Sequence, residues 1–167
     1  DGLWEILSSE RILKSLQHNG LPAFADEFHN DTMVCIVREY IEGKPLSQYI
    51  AENKPAHHEI INISVQLCDI LSYLHGQENP VIHRDIKPQN IIVKKDGHIV
   101  LIDFDIARVY NSEADTDTQF FGTKKYAPPE QYGFTQTDCR TDIYSFGVLL
   151  RFMLTGSEQE NPNINLY

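Results

Sequence analysis

Residues 81–105 read VIHRDIKPQNIIVKKDGHIVLIDFD, and the reading of this stretch decides the fold. Two short β-rich runs, NIIV and HIVLID, are joined by KKDG, and an Asp-Gly between β-branched runs is a strong hairpin signal. The loop ahead of the hairpin carries Asp85, Lys87 and Asn90, and the strand after the turn brings Asp103 back beside them. Two carboxylates, an amide and an ammonium converging at strand ends make a poor core. They make a good site for Mg²⁺ and a polyphosphate, because Mg²⁺ takes hard oxygen ligands: one or two carboxylates, phosphate oxygens and water. The remaining carboxylate can orient a hydroxyl nucleophile, while Lys87 offsets charge on the group transferred. Taken alone, Asp103 and Asp105 leave three readings open: a metal site, a turn, or an altered form of a known motif.

Working outward, residues 3–17 place Leu3, Ile6, Leu7, Ile12, Leu13 and Leu16 at roughly helical spacing, and HNGLP (18–22) stops that helix. The stretch 22–40 predicts two strands around a turn at His29-Asn30-Asp31. EGKP (42–45) reads as a linker, followed by a short helix near 46–52. Residues 57–75 align Ile60, Ile63, Leu67, Ile70, Leu71 and Leu74 on one broad face, predicting a long buried helix closed by Gly76. Residues 105–137 show little periodicity and many Thr, Asp, Gly and Pro, which predicts a long loop, and such loops in compact domains tend to be functional. Residues 143–154 are apolar nearly all round, which predicts a central buried helix.

The chain has 14 basic and 24 acidic residues among 167, for a net charge of −10, which argues against a nucleic-acid binder. Cys35, Cys68 and Cys139 are scattered and form no C-x-x-C pair, as expected of reduced thiols in a cytoplasmic protein. No uncharged apolar run approaches the ~20 residues of a membrane span.

The motifs then become specific. His83-Arg84-Asp85 with Asn90 resembles the catalytic loop H-R-D-x-x-x-x-N of protein kinases, and Asp103-Phe104 resembles the start of the D-F-G metal motif. Ala127-Pro128-Pro129-Glu130 resembles A-P-E with one substitution, and a lysine two after the aspartate is the serine/threonine version. FGTKKYAPPEQYG and RTDIYSFGVLL are most similar to bacterial kinases of the eukaryotic (Hanks) type. The resemblance implies an α+β, protein-kinase-like fold: residues 1–41 from the small lobe and hinge, and 42–167 from the helical large lobe. The catalytic loop is then 83–90 and the activation segment 103–130.

It also implies transfer of the ATP γ-phosphoryl group to Ser/Thr hydroxyls of a protein substrate. Asp85 is then the catalytic base, Asn90 and Asp103 bind Mg²⁺, and Lys87 contacts the transferred group. Thr123 hydrogen-bonds Asp85, and Glu39 and Ile41 offer backbone groups to the adenine. Arg84 docks a phosphorylated activation-segment residue, with Thr116 and Thr118 the natural acceptors. His83 packs beneath the Phe104 ring, and Asp142 holds the catalytic-loop backbone.

Several residues depart from the family pattern. Asp105 replaces the glycine of D-F-G, where a left-handed backbone would cost an aspartate roughly 1 kcal/mol; its carboxylate reads as solvated rather than as an added metal ligand. Ser9 takes the register of the glutamate that pairs with the ATP-binding lysine, and neighbouring Glu10 points about 100° away. Arg38 stands where the family has an apolar or small residue and needs a carboxylate partner, for which Glu10 is the candidate. The glycine-rich loop, the lysine strand and the last helices are expected to be missing, leaving Glu130 without its arginine. The segment is then expected to be weak or inactive alone, and to self-associate through incomplete ends. A pseudokinase-like binding module and a kinase-like small-molecule phosphotransferase are the alternatives. The intact Asp85, Lys87, Asn90 and Asp103 oppose the first, and the Thr-rich segment ending in APPE opposes the second.

Overall fold

The structure, a computed structural model, describes residues 12–30, 34–110, 123, 125–128, 131 and 137–156. Strands β1 (Phe24–His29) and β2 (Val34–Arg38) form an antiparallel ribbon, with a bulge where Phe24 pairs Arg38 but Asp26 pairs Val37. Its β-rich runs are those the sequence marks, although His29 belongs to the strand rather than to the turn. β3 (Lys44–Pro45), β5 (Ile91–Val93) and β6 (Ile99–Leu101) form a second antiparallel sheet in the order β3-β5-β6. β4 (Val81–Ile82) and β7 (Arg108–Val109) pair as a third. The helices are α1 (Leu46–Asn53), α2 (His57–His75) and α3 (Cys139–Thr155), and residues 12–15 are also helical.

α2 is the axis of the core. Ile60, Ile63, Leu67, Ile70, Leu71 and Leu74 are all buried, as the 3.6-residue period requires. At its start the Glu59 carboxylate reaches back and accepts from Ala56 N–H at 2.8 Å, the half of a capping box that needs no side-chain oxygen at Ala56. Gly76 closes the helix as expected but at φ −86°, not left-handed. A side chain there would sit 2.9 Å from the Ser72 carbonyl, so close backbone approach is the reason for glycine.

Residues 12–21 dock on α2 and the second sheet. Ile12, Leu13, Leu16 and Leu21 are buried, and Leu101 N–H donates to Gly20 O at 2.8 Å. A Cβ on Gly20 would lie 2.4 Å from Ile70, which makes glycine a condition of this docking. Around the chain turn, Gln17 N–H donates to the Tyr73 hydroxyl and His18 bonds Asp69.

Three expectations are corrected. The 42–45 linker contains β3, because backbone at Gly43 approaches Val93 O so closely that the chain there pairs with β5. The 105–137 segment contains β7, a two-residue strand too short to leave a period in the sequence. α3 is not buried all round: Thr141, Asp142, Ser145, Leu149, Phe152 and Met153 face inward, while Ile143 and Leu154 are more than half exposed. Its apolar composition reports two faces, of which one is covered among the described residues.

The hairpin is as expected. β5 and β6 pair Ile91 with Leu101 and Val93 with Ile99, and Gly97 takes φ +84° in the turn, where glycine avoids the left-handed penalty. Among the described residues no helix is long and apolar enough to cross a membrane. Replacing fully buried Leu67 with alanine is expected to cost about 2–5 kcal/mol. Ile61→Ala, on the exposed side of the same helix, is expected to change stability by less than about 0.5 kcal/mol. Urea-denaturation midpoints check both, and equal losses would contradict the burial pattern of α2.

Candidate active site

The site begins with a buried carboxylate. Asp142, in the first turn of α3 and fully buried, accepts His83 N–H at 2.9 Å on Oδ2 and Arg84 N–H at 2.8 Å on Oδ1. His75, at the end of α2, bonds the same Oδ2 through Nε2 at 2.8 Å. One side chain thus fastens the loop after β4 to both long helices. Arg84 adopts φ +66°, a left-handed conformation costing a non-glycine residue roughly 1–2 kcal/mol. The paired N–H bonds to Asp142 hold it there, and Gln131 donates to the Arg84 carbonyl at 2.8 Å.

His83 is fully buried, its ring edge-on to Phe104 with centroids 4.8 Å apart. Asp85 N–H points at His83 Nδ1 (3.3 Å), which assigns the ring proton to Nε2, 3.3 Å from Ile102 O. Burial pushes the imidazole below its ordinary value, against the pull of Asp142, Asp85 and Asp103. The ring is a neutral spacer between the loop and the strand end, as the packing beneath Phe104 predicts.

Beyond this anchor, four predicted residues come together. Asp85 Oδ2 accepts from Lys87 Nζ at 2.6 Å and from Asn90 Nδ2 at 2.9 Å. Asp85 Oδ1 accepts from the Thr123 hydroxyl at 2.9 Å, and Lys87 Nζ also donates to Thr123 Oγ1 at 3.0 Å. Asn90 further donates to the Asp85 carbonyl. Local sequence explains the loop: Pro88 opens a single 3₁₀ turn, Pro88–Asn90, which carries Asn90 under Asp85 before β5 begins.

Asp103 arrives by the hairpin. Ile102 N–H donates to Asn90 O at 2.8 Å, which places the residue before Asp103 against the backbone of Asn90. Asp103 itself adopts φ +69°. Asp105 does not share that conformation, so the left-handed strain expected at the missing glycine falls instead on Asp103. Asp105 N–H approaches Asp103 Oδ1 at 3.4 Å. Partial burial first, and then the Asp103 charge, push the Asp105 carboxyl above its ordinary range, while Arg38 pulls it back down. Its side chain is nonetheless exposed to solvent.

Among the described residues no three His, Cys, Asp or Glu side chains converge as a metal cage. An amide oxygen and one carboxylate, Asn90 and Asp103, are a donor set that suits Mg²⁺ held jointly with phosphate oxygens and not by protein alone.

The remaining predicted residues lie apart. Glu39 continues the β1–β2 ribbon, donating its N–H to Ala23 O at 2.8 Å while its carboxylate accepts Ala23 N–H at 3.1 Å. Ile41 follows exposed Tyr40 and lines a surface pocket with Lys94, Lys95 and Asp96. Arg84 is buried, its Nε donating to Ile106 O at 2.7 Å and its Nη1 lying 3.5 Å from Thr137 Oγ1. Ser9, Glu10, Thr116, Thr118 and Glu130 lie outside the described residues. Sequence reasoning missed His75, Gln131 and Ser145, the last of which donates to Tyr126 O at 2.9 Å. Nothing in their neighbourhoods signals them, since each acts on residues distant in the chain.

The comparisons with known proteins agree with this geometry. The family model for the protein kinase domain matches residues 4–163. The chain belongs to the protein kinase family. A probable serine/threonine-protein kinase of Clostridium acetobutylicum is 44% identical over 123 residues, 72% of this chain and 18% of the relative. The serine/threonine-protein kinase PrkC of Bacillus subtilis is 37% identical over 144 residues, 85% of this chain and 22% of PrkC. A probable PknB of Lactococcus lactis is 33% identical over 146 residues, covering 86% and 23%. The chain therefore spans about a fifth of the length of these relatives.

His83 supplies a test of the anchor. An unfolded histidine takes up its proton as pH falls through about 6.5, whereas buried His83 does so only at lower pH. The stability it contributes above that pH is therefore lost as pH falls toward the folded value. His83→Phe keeps a ring against Phe104 but removes this proton linkage. It is expected to be less stable at pH 7.5 and to show a shallower decline in urea midpoint between pH 6.5 and 5; an unchanged slope would refute the neutral assignment.

Proposed function

We propose that this chain carries the phosphoryl-transfer site of a serine/threonine protein kinase, moving the γ-phosphoryl group of ATP to a Ser or Thr hydroxyl of a protein substrate. The observation that carries the reading is Asp85, held from three sides by Lys87, Asn90 and Thr123 on a loop clamped by Asp142. A carboxylate so oriented can accept the proton of an incoming hydroxyl. It does so with little reorganisation, because its orientation is fixed before substrate arrives.

Lys87 is divided between Asp85 and Thr123 and can turn its ammonium toward the oxygens of the transferred group. Thr123 ties the segment beyond the metal turn to the base, so ordering there is felt directly at Asp85. Asn90, through its amide oxygen, and Asp103 would hold Mg²⁺; bound there with ATP, the ion neutralises charge on the phosphates. The Glu39 N–H is used by Ala23, which leaves its carbonyl, with the Ile41 backbone, to meet an adenine.

Arg84 is read as the receiver of a phosphate on Thr116 or Thr118. Its present bond to Ile106 O ties it to the turn after Asp103, and its contact with Thr137 ties it to the chain just before α3. A phosphate docking there would therefore also shift the metal turn, which links modification to the site. The relatives' names, all serine/threonine-protein kinases, support the substrate class.

Asp85→Asn is expected to reduce phosphorylation of a Ser/Thr peptide at least about 10²-fold, with Mg²⁺–ATP affinity within twofold by calorimetry. Asp103→Ala is expected to lose metal-dependent nucleotide binding. Retained turnover in the first, or retained metal dependence in the second, would overturn the assignment of that residue.

A further inference from the structure

Asp85 is held at two levels. Its carboxylate is fixed by Lys87, Asn90 and Thr123. The direction in which that carboxylate leaves the main chain is set one step earlier, by the peptide unit joining Arg84 to Asp85. A planar peptide carries its C=O and N–H on opposite edges, so holding both edges fixes its rotation. Here Arg84 O accepts from Gln131 Nε2 at 2.8 Å, while Asp85 N–H points at His83 Nδ1 at 3.3 Å. The shorter of the two bonds is the one from Gln131.

The peptide unit before it is held by Asp142, which accepts Arg84 N–H at 2.8 Å. Asp142 therefore sets φ at Arg84 and Gln131 sets ψ. Both constraints matter, because the left-handed region that Arg84 occupies at φ +66° is small. Gln131 and Arg84 are 2% and 6% exposed, so solvent is poorly placed to replace a lost donor at Arg84 O.

Gln131 acts from the far end of the segment whose near end holds the carboxylate. Thr123 donates its hydroxyl to Asp85 Oδ1, and Thr123 O accepts Tyr126 N–H and Ala127 N–H at 2.8 and 3.0 Å. Pro128 O then accepts Gln131 N–H at 3.1 Å. Between these turns Tyr126 O accepts from buried Ser145, which follows Asp142 by three residues on α3. One face of α3 thus holds both the loop and the segment that closes on it.

We propose that Gln131 is a positioning residue for Asp85: it fixes the Arg84–Asp85 peptide plane, and through it the angle at which the carboxylate meets a hydroxyl. This rests on the proposed role of Asp85 as the base. Thr123 and Gln131 belong to one segment, so the side chain and the backbone of Asp85 both follow the order of that segment.

The test compares Gln131→Met, which keeps a side chain of similar length but donates nothing, with Gln131→Glu, which donates only when protonated. In phosphorylation of a Ser/Thr peptide, Gln131→Met is expected to lower kcat about 10–100-fold relative to the parent at every pH, with KM for the peptide within about threefold. Gln131→Glu is expected to lie near the parent at pH 6 and to fall toward Gln131→Met as pH rises to 9, because its carboxylate cannot donate to Arg84 O. Parent-like kcat in Gln131→Met, or equal losses in the two variants across this range, would overturn the proposal. Amide exchange read by NMR needs no turnover. There Gln131→Met is expected to speed exchange at Asp85 N–H about tenfold while leaving Leu67 N–H in α2 unchanged. Unchanged protection at Asp85 would overturn the hold on the peptide. A parent chain that phosphorylates no peptide would count against the proposed function and with it against the positioning of a base, while exchange would still decide whether Gln131 holds that peptide.

Discussion

The site depends on one buried carboxylate. A carboxyl group fully removed from water is costly, and Asp142 is tolerable there because both its oxygens accept hydrogen bonds. The donors are the backbone of His83 and Arg84 and the imidazole of His75. The bonds do more than settle Asp142. They hold Arg84 left-handed, and that reversal of the chain aims Asp85 toward Lys87, Asn90 and Thr123 and not along the strand direction of β4. Removing Asp142 would orphan two buried N–H groups and release the strain at Arg84 at once.

From that anchor the geometry propagates through short, stiff pieces. The 3₁₀ turn delivers Asn90, the β5–β6 hairpin fixes the register of the returning strand, and Ile102 N–H on Asn90 O fixes where Asp103 begins. His83 fills the space between the two limbs as a neutral ring, bonded to Ile102 O and edge-on to Phe104. A charged imidazole would add a cation among three aspartates and compete for the carboxylates to which the proposed chemistry is assigned. Burial prevents this. The loop is thus fixed by backbone hydrogen bonds, while the Asp85 carboxylate is oriented by the side chains of Lys87, Asn90 and Thr123.

How much of this was legible in sequence follows from range. The hairpin, the buried face of α2 and the grouping of Asp85, Lys87, Asn90 and Asp103 come from local patterns: β-branched runs, a 3.6-residue period and a fixed spacing within one loop. β3, β4 and β7 left no such trace, because two residues cannot establish an alternation and their pairing partners are far away in the chain. His75 was invisible for the same reason: at the end of an apolar helix it looks like any polar terminus, and only the fold brings Asp142 to it. The solvent-facing side of α3 misled composition, since Ile143 and Leu154 read as core residues whether or not anything described covers them.

The glycine position shows how a local rule can be right about cost and wrong about place. A left-handed residue is needed to turn the chain after β6, and the motif suggests that the glycine takes it. Here Asp103 takes it, at φ +69°. Aspartate is among the residues that tolerate this region, since a short polar side chain can bond locally, and Asp105 N–H lies near the Asp103 carboxylate to do so. Asp105 is then free of backbone strain but not of charge. Partial burial and the neighbouring Asp103 charge both disfavour its ionised form, with Arg38 opposing them. The departure from glycine therefore acts through a charge placed beside Asp103 and not through the backbone geometry of the turn.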